Sequence, residues 1–448
     1  MFAKYQFYYE LQNSPKEKDM DITALYQIFL GCTGITTDSR NCPEGSLFIA
    51  LKGDTFNGNA FAAKALEAGS TYAVVDEAAY APAGDTRYIL VDNCLHTLQQ
   101  LANYHRRQLG TRIIGITGTN GKTTTKELIS AVLSQKYNVL YTLGNLNNPI
   151  GVPLTLLRLT TEHELGVVEM GASHPGDIKE LVEIAEPDYG IITNVGKAHL
   201  EGFGSFEGVI RTKGELYDYI RRSKGKIFIK KENEYLQSIA KGIEQITYGN
   251  GDDAFASGQV VSCDPFLVFN WKQQGKLHTV ETHIIGSYNL DNVLAAVAVG
   301  RFFKIPAERI SRAIAAYEPT NNRSQFKKTD NNELIIDAYN ANPSSMKVAL
   351  DNFITMPVQP KAIILGDMRE LGPTSDELHA EVVAQIKKGQ FDKVFLCGEH
   401  FSKVGKEFSP FATTEAMVEE LRKQPLKGYH ILIKGSHSMG LEKLADIL

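Results

Sequence analysis

The chain has 448 residues, of which 43% are hydrophobic and 22% are charged, and its formal net charge at pH 7 is −5. Because ordinary domains contain roughly 100 to 200 residues, this length predicts two to four domains, and we expect three. The composition is that of a globular protein and excludes a largely disordered chain. The small negative net charge gives no reason to expect a nucleic acid or an anionic membrane as a partner.

Cysteine usage and the start of the chain predict a cytoplasmic protein. The number of cysteines is odd and no pair has C-x-x-C spacing, which is typical of a reducing compartment and argues against a disulfide framework or a zinc site. The first 20 residues, MFAKYQFYYELQNSPKEKDM, lack a signal-peptide core, and no apolar run reaches the length of a membrane span. The cysteines are Cys32, Cys42, Cys94, Cys263 and Cys397.

Residues 1–107 are predicted to form a small α/β domain. Short apolar segments that read as strands alternate with segments of helical pattern. The strands are SLFIAL, TYAVVD and RYILVD, and the helices are AFAAKALEAG and HTLQQLANYHRRQLG.

Residues 108–319 are predicted to form a central domain with a parallel sheet. Several of its strands are apolar throughout, which indicates a sheet covered on both faces. These strands are TRIIGIT, NVLYT, LGVVEMG, YGIITNV and KIFIK. Between Gly249 and Ile285 the pattern changes to ASGQVVSC, PFLVFNW and LHTVETHII, which predicts an antiparallel appendage before an alanine-rich helix.

Residues 320–448 are predicted to form a third α/β domain. The strands ELIIDAY, KAIILGD, KVFLCG and YHILIKG alternate with helices, and the segment is long enough for its own doubly wound sheet.

A phosphate-binding loop is predicted where TRIIGIT gives way to a helix. The glycines permit a tight turn with inward N–H groups, and the helix N-terminus adds its positive dipole end. Lys122 supplies a mobile cation and Thr123 a hydroxyl for Mg²⁺. The pattern G-x-x-x-x-G-K-[ST] is not met, because Ile116 stands five positions before Gly121, so a plain glycine turn with a surface lysine stays open. The loop is Gly118, Thr119, Asn120, Gly121, Lys122, Thr123 and Thr124.

Two later strand ends carry candidate groups for the same site. Glu169 ends a buried-type strand, where a carboxylate suits Mg²⁺, although an exposed strand-end glutamate would give the same pattern. The next strand delivers Asn194 and His199 into a glycine-rich loop. A lone histidine is more often a hydrogen-bonding residue than a metal ligand, so only the candidate groups near His199 favour a ligand role for it.

A set of longer segments, taken in chain order, resembles the Mur ligases, which add amino acids to the cell-wall precursor. These segments are GITGTNGKTTTKE, LNNPIGVPLTLL, EMGASHPGDI, TNVGKAHLEGFGS, RTKGEL, GSYNLDNVLAA, IIDAYNANPSSM, LGDMRELG and LIKGSHS. The resemblance is to the branch that attaches D-alanyl-D-alanine to UDP-N-acetylmuramoyl-tripeptide. It implies a UDP-precursor domain, a central P-loop ATPase and a C-terminal Rossmann-like domain that binds the incoming dipeptide and closes over ATP. It also implies a monomeric enzyme of peptidoglycan synthesis that uses ATP and Mg²⁺.

The resemblance implies that ATP phosphorylates the peptide carboxylate and that an amine then attacks the acyl phosphate. Lys122, His199, Lys213 and Arg323 are the implied catalytic residues. Thr123 and Glu169 are expected to hold one ion, and His199 a second ion together with Lys213. Lys213 matches a family lysine that is carbamylated, a change that turns a cation repelled by Mg²⁺ into an oxygen anion. An exposed helix lysine is the alternative.

Further contacts are implied for nucleotide and substrates. Asn289 and Asn292 match positions near adenine, and Arg323 resembles an interdomain arginine that reaches the phosphates. The residues expected to meet nucleotide or substrate after closure are Asp337, Tyr339, Asn340 and Asn342; a polar turn with an asparagine cap is their alternative. The residues that resemble precursor contacts are Ser39, Arg40, Phe56, Asn57, Asn145, Asn147 and Asn148. Lys197 departs from the family pattern without removing an expected ligand.

Other activities fit the sequence less well. The nearest alternative is a Mur ligase that adds lysine or meso-diaminopimelate to UDP-N-acetylmuramoyl-dipeptide, but the last domain has no DNPR-like motif. A folate-polyglutamating ligase would lack a domain before the P-loop. A nucleotide switch would need an N-K-x-D element, and the closest string, KKTD, lacks the asparagine.

Overall fold

The computed structural model describes residues 21–448. The first 20 residues, to which the signal-peptide argument refers, lie outside this part. The chain divides into two compact units. One comprises the residues up to Gly110 together with Pro153–Leu159, and the other comprises Thr111–Val152 and Thr160–Leu448.

The first unit contains a parallel sheet with the strand order β1-β2-β5-β6. Its elements are α1 Ile22–Leu30, β1 Ile35–Thr36, β2 Leu47–Ile49, β3 Lys52–Gly53, β4 Phe56–Asn57, α2 Ala62–Glu67, β5 Tyr72–Val75, β6 Tyr88–Leu90 and α3 Cys94–Leu109. The strands β3 and β4 form a separate antiparallel pair. The side chain of Asn93 accepts the N–H of His96 at 2.8 Å and so caps α3, which ends at Gly110 in the left-handed conformation. The predicted α/β pattern is thus confirmed.

The second unit contains a nine-stranded sheet with the order β15-β14-β13-β12-β11-β10-β7-β9-β8. Its strands are β7 Arg112–Thr117, β8 Val139–Tyr141, β9 Leu165–Glu169, β10 Tyr189–Ile192, β11 Lys226–Lys230, β12 Glu244–Gly249, β13 Ala256–Cys263, β14 Phe266–Gln273 and β15 Lys276–Ile285. The strands from β7 to β12 run parallel. Because β7 lies between β9 and β10, the carboxyl ends of three strands meet beside the predicted phosphate loop.

The strands between Gly249 and Ile285 are antiparallel to one another, as predicted, but they are not a separate appendage. Strand β13 pairs in parallel with β12 through Tyr248 and Ala256, so the antiparallel strands continue the central sheet. Strand β12 is not predicted from the sequence, because its segment EQITYG is half exposed and has no continuous apolar run.

The helices of this part of the chain are α4 Lys122–Leu133, α6 Asp177–Ala185, α7 Leu200–Phe203, α8 Phe206–Ser223, α9 Glu234–Ile239, α10 Leu290–Phe302 and α11 Ala307–Ala315. Helix α5, Gly151–Leu156, has most of its residues in the first unit. The alanine-rich α10 is buried along most of its length, which fits a helix that is apolar on all sides. A Cβ on Gly300 would lie 2.6 Å from Cγ1 of Val132, so glycine permits α10 to approach α4 closely.

The last part of the chain forms a five-stranded sheet with the order β16-β17-β20-β18-β19. Its elements are β16 Gln325–Lys328, β17 Glu333–Asp337, α12 Pro343–Thr355, β18 Lys361–Gly366, α13 Ser375–Ile386, β19 Lys393–Cys397, α14 Glu399–Val404, α15 Thr414–Lys423 and β20 His430–Lys434. Only β16, which was not predicted, is antiparallel to its neighbour. The α/β class, the central parallel sheet and the Rossmann-like C-terminal sheet are confirmed, whereas the boundaries at residues 107 and 319 stay predictions.

Candidate active site

The predicted phosphate loop turns sharply between β7 and α4. Gly118 and Gly121 have φ values of +143° and +77°, which disfavour residues with a Cβ. The loop also lies against the end of β10. A Cβ on Gly118 would stand 2.0 Å from Oγ1 of Thr193, and the backbone N–H of Asn120 donates to Oδ1 of Asn194 at 3.0 Å. The loop is therefore held in shape by the neighbouring strand.

The amino group of Lys122 bends back over this loop. Its Nζ donates to the carbonyl oxygens of Gly118 at 2.8 Å and Thr119 at 3.1 Å. Burial lowers the pKa of Lys122 to about 8, and the carboxylate of Glu169 opposes this shift only in part. A phosphate group bound at the loop would supply the negative charge that stabilises the protonated form of Lys122.

Glu169 places a buried carboxylate beside the loop, which excludes the alternative of an exposed strand-end residue. Its Oε1 accepts hydrogen bonds from Oγ1 of Thr123 at 3.3 Å and from Nδ2 of Asn147 at 2.8 Å. Its Oε2 is buried without a hydrogen-bond partner, and Nζ of Lys126 lies 3.9 Å away. A buried carboxylate oxygen without a hydrogen bond fits a cation, since buried polar atoms are rarely left unpaired.

The donor set beside Glu169 suits Mg²⁺ bound together with phosphate. Among residues 21–448, no group of three or more His, Cys, Asp or Glu side chains forms a metal site. Mg²⁺ commonly takes one or two carboxylates, with phosphate oxygens and water completing its shell. The residues at this position therefore fit the ion without a larger acidic cluster.

A chain of amides connects the loop to the start of α10. The hydroxyl of Thr125 donates to Oδ1 of Asn292 at 3.0 Å, and Nδ2 of Asn292 donates to Oδ1 of Asn289 at 2.7 Å. The amide of Asn289 donates to the carbonyl of Ile285 at 2.8 Å. Because Asn292 also lies against Gly121, these asparagines are fixed relative to the phosphate loop.

Lys213 is almost fully buried on α8, which excludes the alternative of an exposed helix lysine. Its Nζ lies 3.4 Å from the carbonyl oxygen of Ala172 and 5.3 Å from the centre of the Phe203 ring. Burial, and then the nearby charge of Lys122, lower the pKa of Lys213 well below the usual range of lysine. The amine is therefore biased towards its neutral form.

His199 begins α7 in the left-handed conformation, with φ at +49°. Its Nδ1 contacts the carboxylate of Glu370 from the loop after β18. Burial lowers the pKa of His199, and this carboxylate opposes the shift.

The C-terminal sheet contributes a second group of polar side chains. The buried amino group of Lys434 donates to Oδ2 of Asp337 at 2.6 Å and to the carbonyl of Asn340 at 3.2 Å. The guanidinium of Arg323 lies 3.9 Å from the centre of the Tyr339 ring, which stacks on His437. These contacts place a cation and an aromatic ring at the carboxyl end of β17.

One cavity of about 580 Å³ joins these groups within the second unit. The predicted residues that line it are Thr119, Asn120, Gly121, Lys122, Thr124, Asn147, Asn148, Glu169, Asn194, His199, Asn289, Asn292, Arg323, Asp337, Tyr339 and Asn340. Gly118, Thr123, Asn145, Lys213 and Asn342 do not line it. The amide of Asn342 instead caps α12 and donates to Oδ1 of Asn120 at 2.8 Å.

The residues of the first unit that are predicted to bind the precursor make contacts within that unit. The guanidinium of Arg40, next to Ser39, pairs with Asp38 at 2.8 Å. Asn57 donates to Oε1 of Glu77 at 3.0 Å and accepts the N–H of Asn59. Phe56 has a largely exposed ring. Their contacts with a precursor stay predictions.

Several cavity residues were not singled out from the sequence. They include Ser173, Asp177, Tyr288, Asp291, Ser324, Ser344 and Lys434. Of these, Ser173, Asp177, Tyr288, Asp291, Ser344 and Lys434 fall inside segments that carry the family resemblance. Burial of Lys434 next to Asp337 depends on the pairing of β20 with β17, which no local pattern specifies.

The loop, the buried carboxylate and the shared cavity define a P-loop nucleotide-binding enzyme. Three family descriptions match the chain: the Mur ligase family catalytic domain over residues 32–106, the Mur ligase middle domain over 116–300, and the Mur ligase glutamate ligase domain over 322–437. The UDP-N-acetylmuramoyl-tripeptide–D-alanyl-D-alanine ligase of Bacillus subtilis (strain 168) is 36% identical over 431 residues, which covers 93% of each chain. The chain belongs to the Mur ligase family.

Two solved structures extend this similarity. A crystal structure of MurF from Acinetobacter baumannii has a TM-score of 0.84 at 28% identity and covers 97% of this chain and 99% of that one. The MurF ligase of Thermotoga maritima in complex with ADP has a TM-score of 0.82 at 25% identity, covering 94% of this chain and 97% of that one. Within residues 21–448, no helix combines the length and apolarity of a membrane span.

Proposed function

We propose that this chain is the ATP-dependent ligase that joins D-alanyl-D-alanine to UDP-N-acetylmuramoyl-tripeptide in peptidoglycan precursor synthesis. The observation that carries the proposal is the single cavity that joins the phosphate loop to the carboxyl end of the C-terminal sheet. An activated acyl group formed at the loop would thereby face the domain that presents the amine. The 36% identity to a relative of that activity, over 93% of both chains, supports the same substrates.

ATP would be held between the start of α10 and the phosphate loop. Asn289 and Asn292 would contact the adenine, and the amino group of Lys122, which donates to the loop carbonyls, would bind the terminal phosphates. Arg323 approaches the phosphates from the C-terminal side, where the Tyr339 ring supports its guanidinium. Asp337 and Tyr339 complete the nucleotide contacts at the end of β17.

Mg²⁺ would be held by Thr123 and Glu169 at the loop and by His199 with Lys213 at a second position. When bound, the ions offset the repulsion between the phosphates and the peptide carboxylate. The chain itself orients the carboxylate for in-line attack on the terminal phosphorus, and ADP leaves. The amine then attacks the acyl carbon and phosphate departs, with water kept away from the reactive acyl phosphate.

Carbamylation of Lys213 is part of this proposal. A neutral amine is the form that adds CO₂, and burial, which lowers the pKa of Lys213, shifts the amine towards that form. Lys213 itself does not line the cavity, but Ala172, whose carbonyl oxygen its Nζ contacts, does, so a carbamate on Lys213 would lie next to the site.

Contacts with the precursor and the dipeptide are also proposed. Asn145, Asn147 and Asn148 contact the muramoyl peptide, and the UDP group is bound by Ser39, Arg40, Phe56 and Asn57. Asn340 and Asn342 orient the dipeptide. An acyl phosphate reacts with any amine held at the right distance, so selection requires a site that fixes one nucleophile. The carboxylate of a dipeptide lies one residue further from its amine than that of a single amino acid.

The enzyme is proposed to be a cytoplasmic monomer without nucleic-acid or membrane partners. Its product would serve cell-wall biogenesis, and through it cell shape and division.

The test is release of ADP with purified UDP-precursors and a panel of amines. We expect efficient release with UDP-N-acetylmuramoyl-tripeptide plus D-alanyl-D-alanine, and little with D-alanine, L-lysine or diaminopimelate. Omitting either acceptor should stop ADP release, because a ligase turns over only when both are present. If UDP-N-acetylmuramoyl-dipeptide with lysine or diaminopimelate is the better pair, the proposal is wrong and the alternative Mur ligase activity is correct.

A further inference from the structure

The His199 ring uses one nitrogen in a contact with another part of the second unit. Its Nδ1 faces Oε2 of Glu370, and among the described residues Nε2 has no hydrogen-bond partner. His199 itself lines the cavity. A histidine that binds a metal through one nitrogen usually donates its other N–H to a carboxylate or a carbonyl, which fixes the tautomer and the ring orientation. The observed arrangement has this form, with Nε2 left for the ligand.

Glu370 is held in place by its loop. It has φ at +61°, a conformation that costs energy for a non-glycine residue and persists only when its surroundings impose it. The N–H of Met368 donates to Nε2 of His379 at 3.0 Å, and the N–H of Arg369 donates to Oγ of Ser436 at 3.1 Å. The backbone before Glu370 is therefore anchored by two side chains of the C-terminal sheet region.

The start of this loop is fixed as well. Asp367 is buried, and its carboxylate accepts the backbone N–H groups of His400 and Phe401, each at 3.0 Å. Glu370 thus extends from a rigid part of the C-terminal sheet region towards a histidine of the central sheet region. Asn342 and Asn120 make a second contact between the same regions.

We propose that Glu370 is a positioning residue for His199: its carboxylate accepts a hydrogen bond from Nδ1–H, so that Nε2 is presented to the second ion. Because Glu370 belongs to the C-terminal sheet region and His199 to the central one, the second metal site is complete only when these regions are in contact. Acyl transfer would then be coupled to the presence of the amine-binding region. This inference rests on the proposed function, which makes His199 a metal ligand.

The test is a Mn²⁺ titration of the full chain followed by electron paramagnetic resonance, with a non-hydrolysable ATP analogue and UDP-N-acetylmuramoyl-tripeptide present. We expect two bound ions in the wild type. Glu370→Ala should weaken one of them by about 10- to 100-fold, the usual effect of removing a partner of a metal-binding histidine, and leave the other unchanged. Glu381→Ala, at an exposed position of α13, is the matched control and should bind both ions normally.

Glu370→Gln separates charge from hydrogen bonding. Its amide oxygen still accepts a hydrogen bond from Nδ1–H, so its loss of Mn²⁺ affinity should be smaller than that of Glu370→Ala. If Glu370→Ala fails to fold, Glu370→Leu, which keeps a side chain of similar size but has no acceptor, decides, and wild-type affinity in it would overturn the inference. Unchanged or tighter Mn²⁺ binding in a folded Glu370→Ala variant would also overturn it, because the carboxylate would then be a bystander or a competitor of the ion.

His199→Ala distinguishes this failure from failure of the proposed function. We expect His199→Ala to lose the same ion that Glu370→Ala weakens. Loss of that ion in His199→Ala with normal binding in Glu370→Ala would refute only the role of Glu370. Retention of both ions in His199→Ala would refute the metal assignment, and the inference with it.

Discussion

Replacing Gly121 by alanine tests how the phosphate loop is joined to the adenine side of the site. Gly121 has φ at +77°, so alanine pays about 1–2 kcal/mol for the left-handed conformation. The new Cβ would also stand 2.7 Å from Oδ1 of Asn292. Moving that amide breaks its hydrogen bonds with Thr125 and Asn289, at about 1 kcal/mol each. The expected loss of unfolding free energy is therefore about 3–4 kcal/mol.

Gly242→Ala is the matched control for this substitution. Gly242 has φ at +76°, and a Cβ there meets nothing within 4 Å, so only the backbone term of about 1–2 kcal/mol remains. Replacing glycine by alanine also reduces the conformational entropy of the unfolded chain, which stabilises the folded protein. This effect is the same in both variants and cancels in the comparison.

Urea unfolding followed by fluorescence measures the difference, because the single tryptophan, Trp271, is buried in the same core as α4 and α10. We expect Gly121→Ala to be less stable than Gly242→Ala by about 2 kcal/mol, the two lost hydrogen bonds. Calorimetry should show weaker ATP binding only in Gly121→Ala. Equal unfolding free energies for the two variants would refute the reasoning, because the contact with Asn292 would then contribute nothing.

The remaining predictions concern single charged or titratable groups. Lys122→Ala should abolish ATP-dependent ligation with unchanged Trp271 fluorescence, and near-normal turnover would contradict the P-loop assignment. Lys213→Ala should lose most activity and regain part of it with a small added carboxylic acid, whereas full activity would show that no carbamate is needed. Burial lowers the pKa of His379 in the folded protein, so this histidine is protonated first in the unfolded chain as pH falls. The contribution of neutral His379 to the free energy of unfolding is therefore intact above about pH 6.5 and is lost as pH falls towards the pKa of the folded protein. The urea midpoint should therefore fall less between pH 7.5 and 5.5 in His379→Gln than in the wild type, and equal slopes would argue against this role.

The groups whose place in the fold can be predicted from the sequence are those whose position follows from one strand or one turn. The glycine turn of the phosphate loop and the position of Glu169 at a strand end are local features, and the structure brings Gly121 and Glu169 into one cavity. Burial of Lys213 could also have been predicted, because Val209, Lys213, Leu216 and Tyr217 recur at helical spacing on the buried face of α8.

The missed features depend on which strands become neighbours. Lys434 reaches Asp337 only because β20 inserts between β17 and β18. Glu370 meets His199 across two sheets of the second unit, and neither residue carries a local signal of the other. The continuity of β12 with β13 was missed for the same reason, since strand order is set by tertiary packing.

The contact of α4 with α10 at Gly300 has a consequence for sequence change. Helix α4 begins at the phosphate loop, and α10 begins beside Asn289 and Asn292. Gly300 lies eight residues further along α10 than Asn292, roughly 12 Å along the helix axis, and outside the cavity. A side chain at position 300 would separate the two helices and change the spacing of the groups at their N-termini. Selection for nucleotide affinity therefore also restricts the size of the residue at position 300, although that position does not contact the nucleotide site.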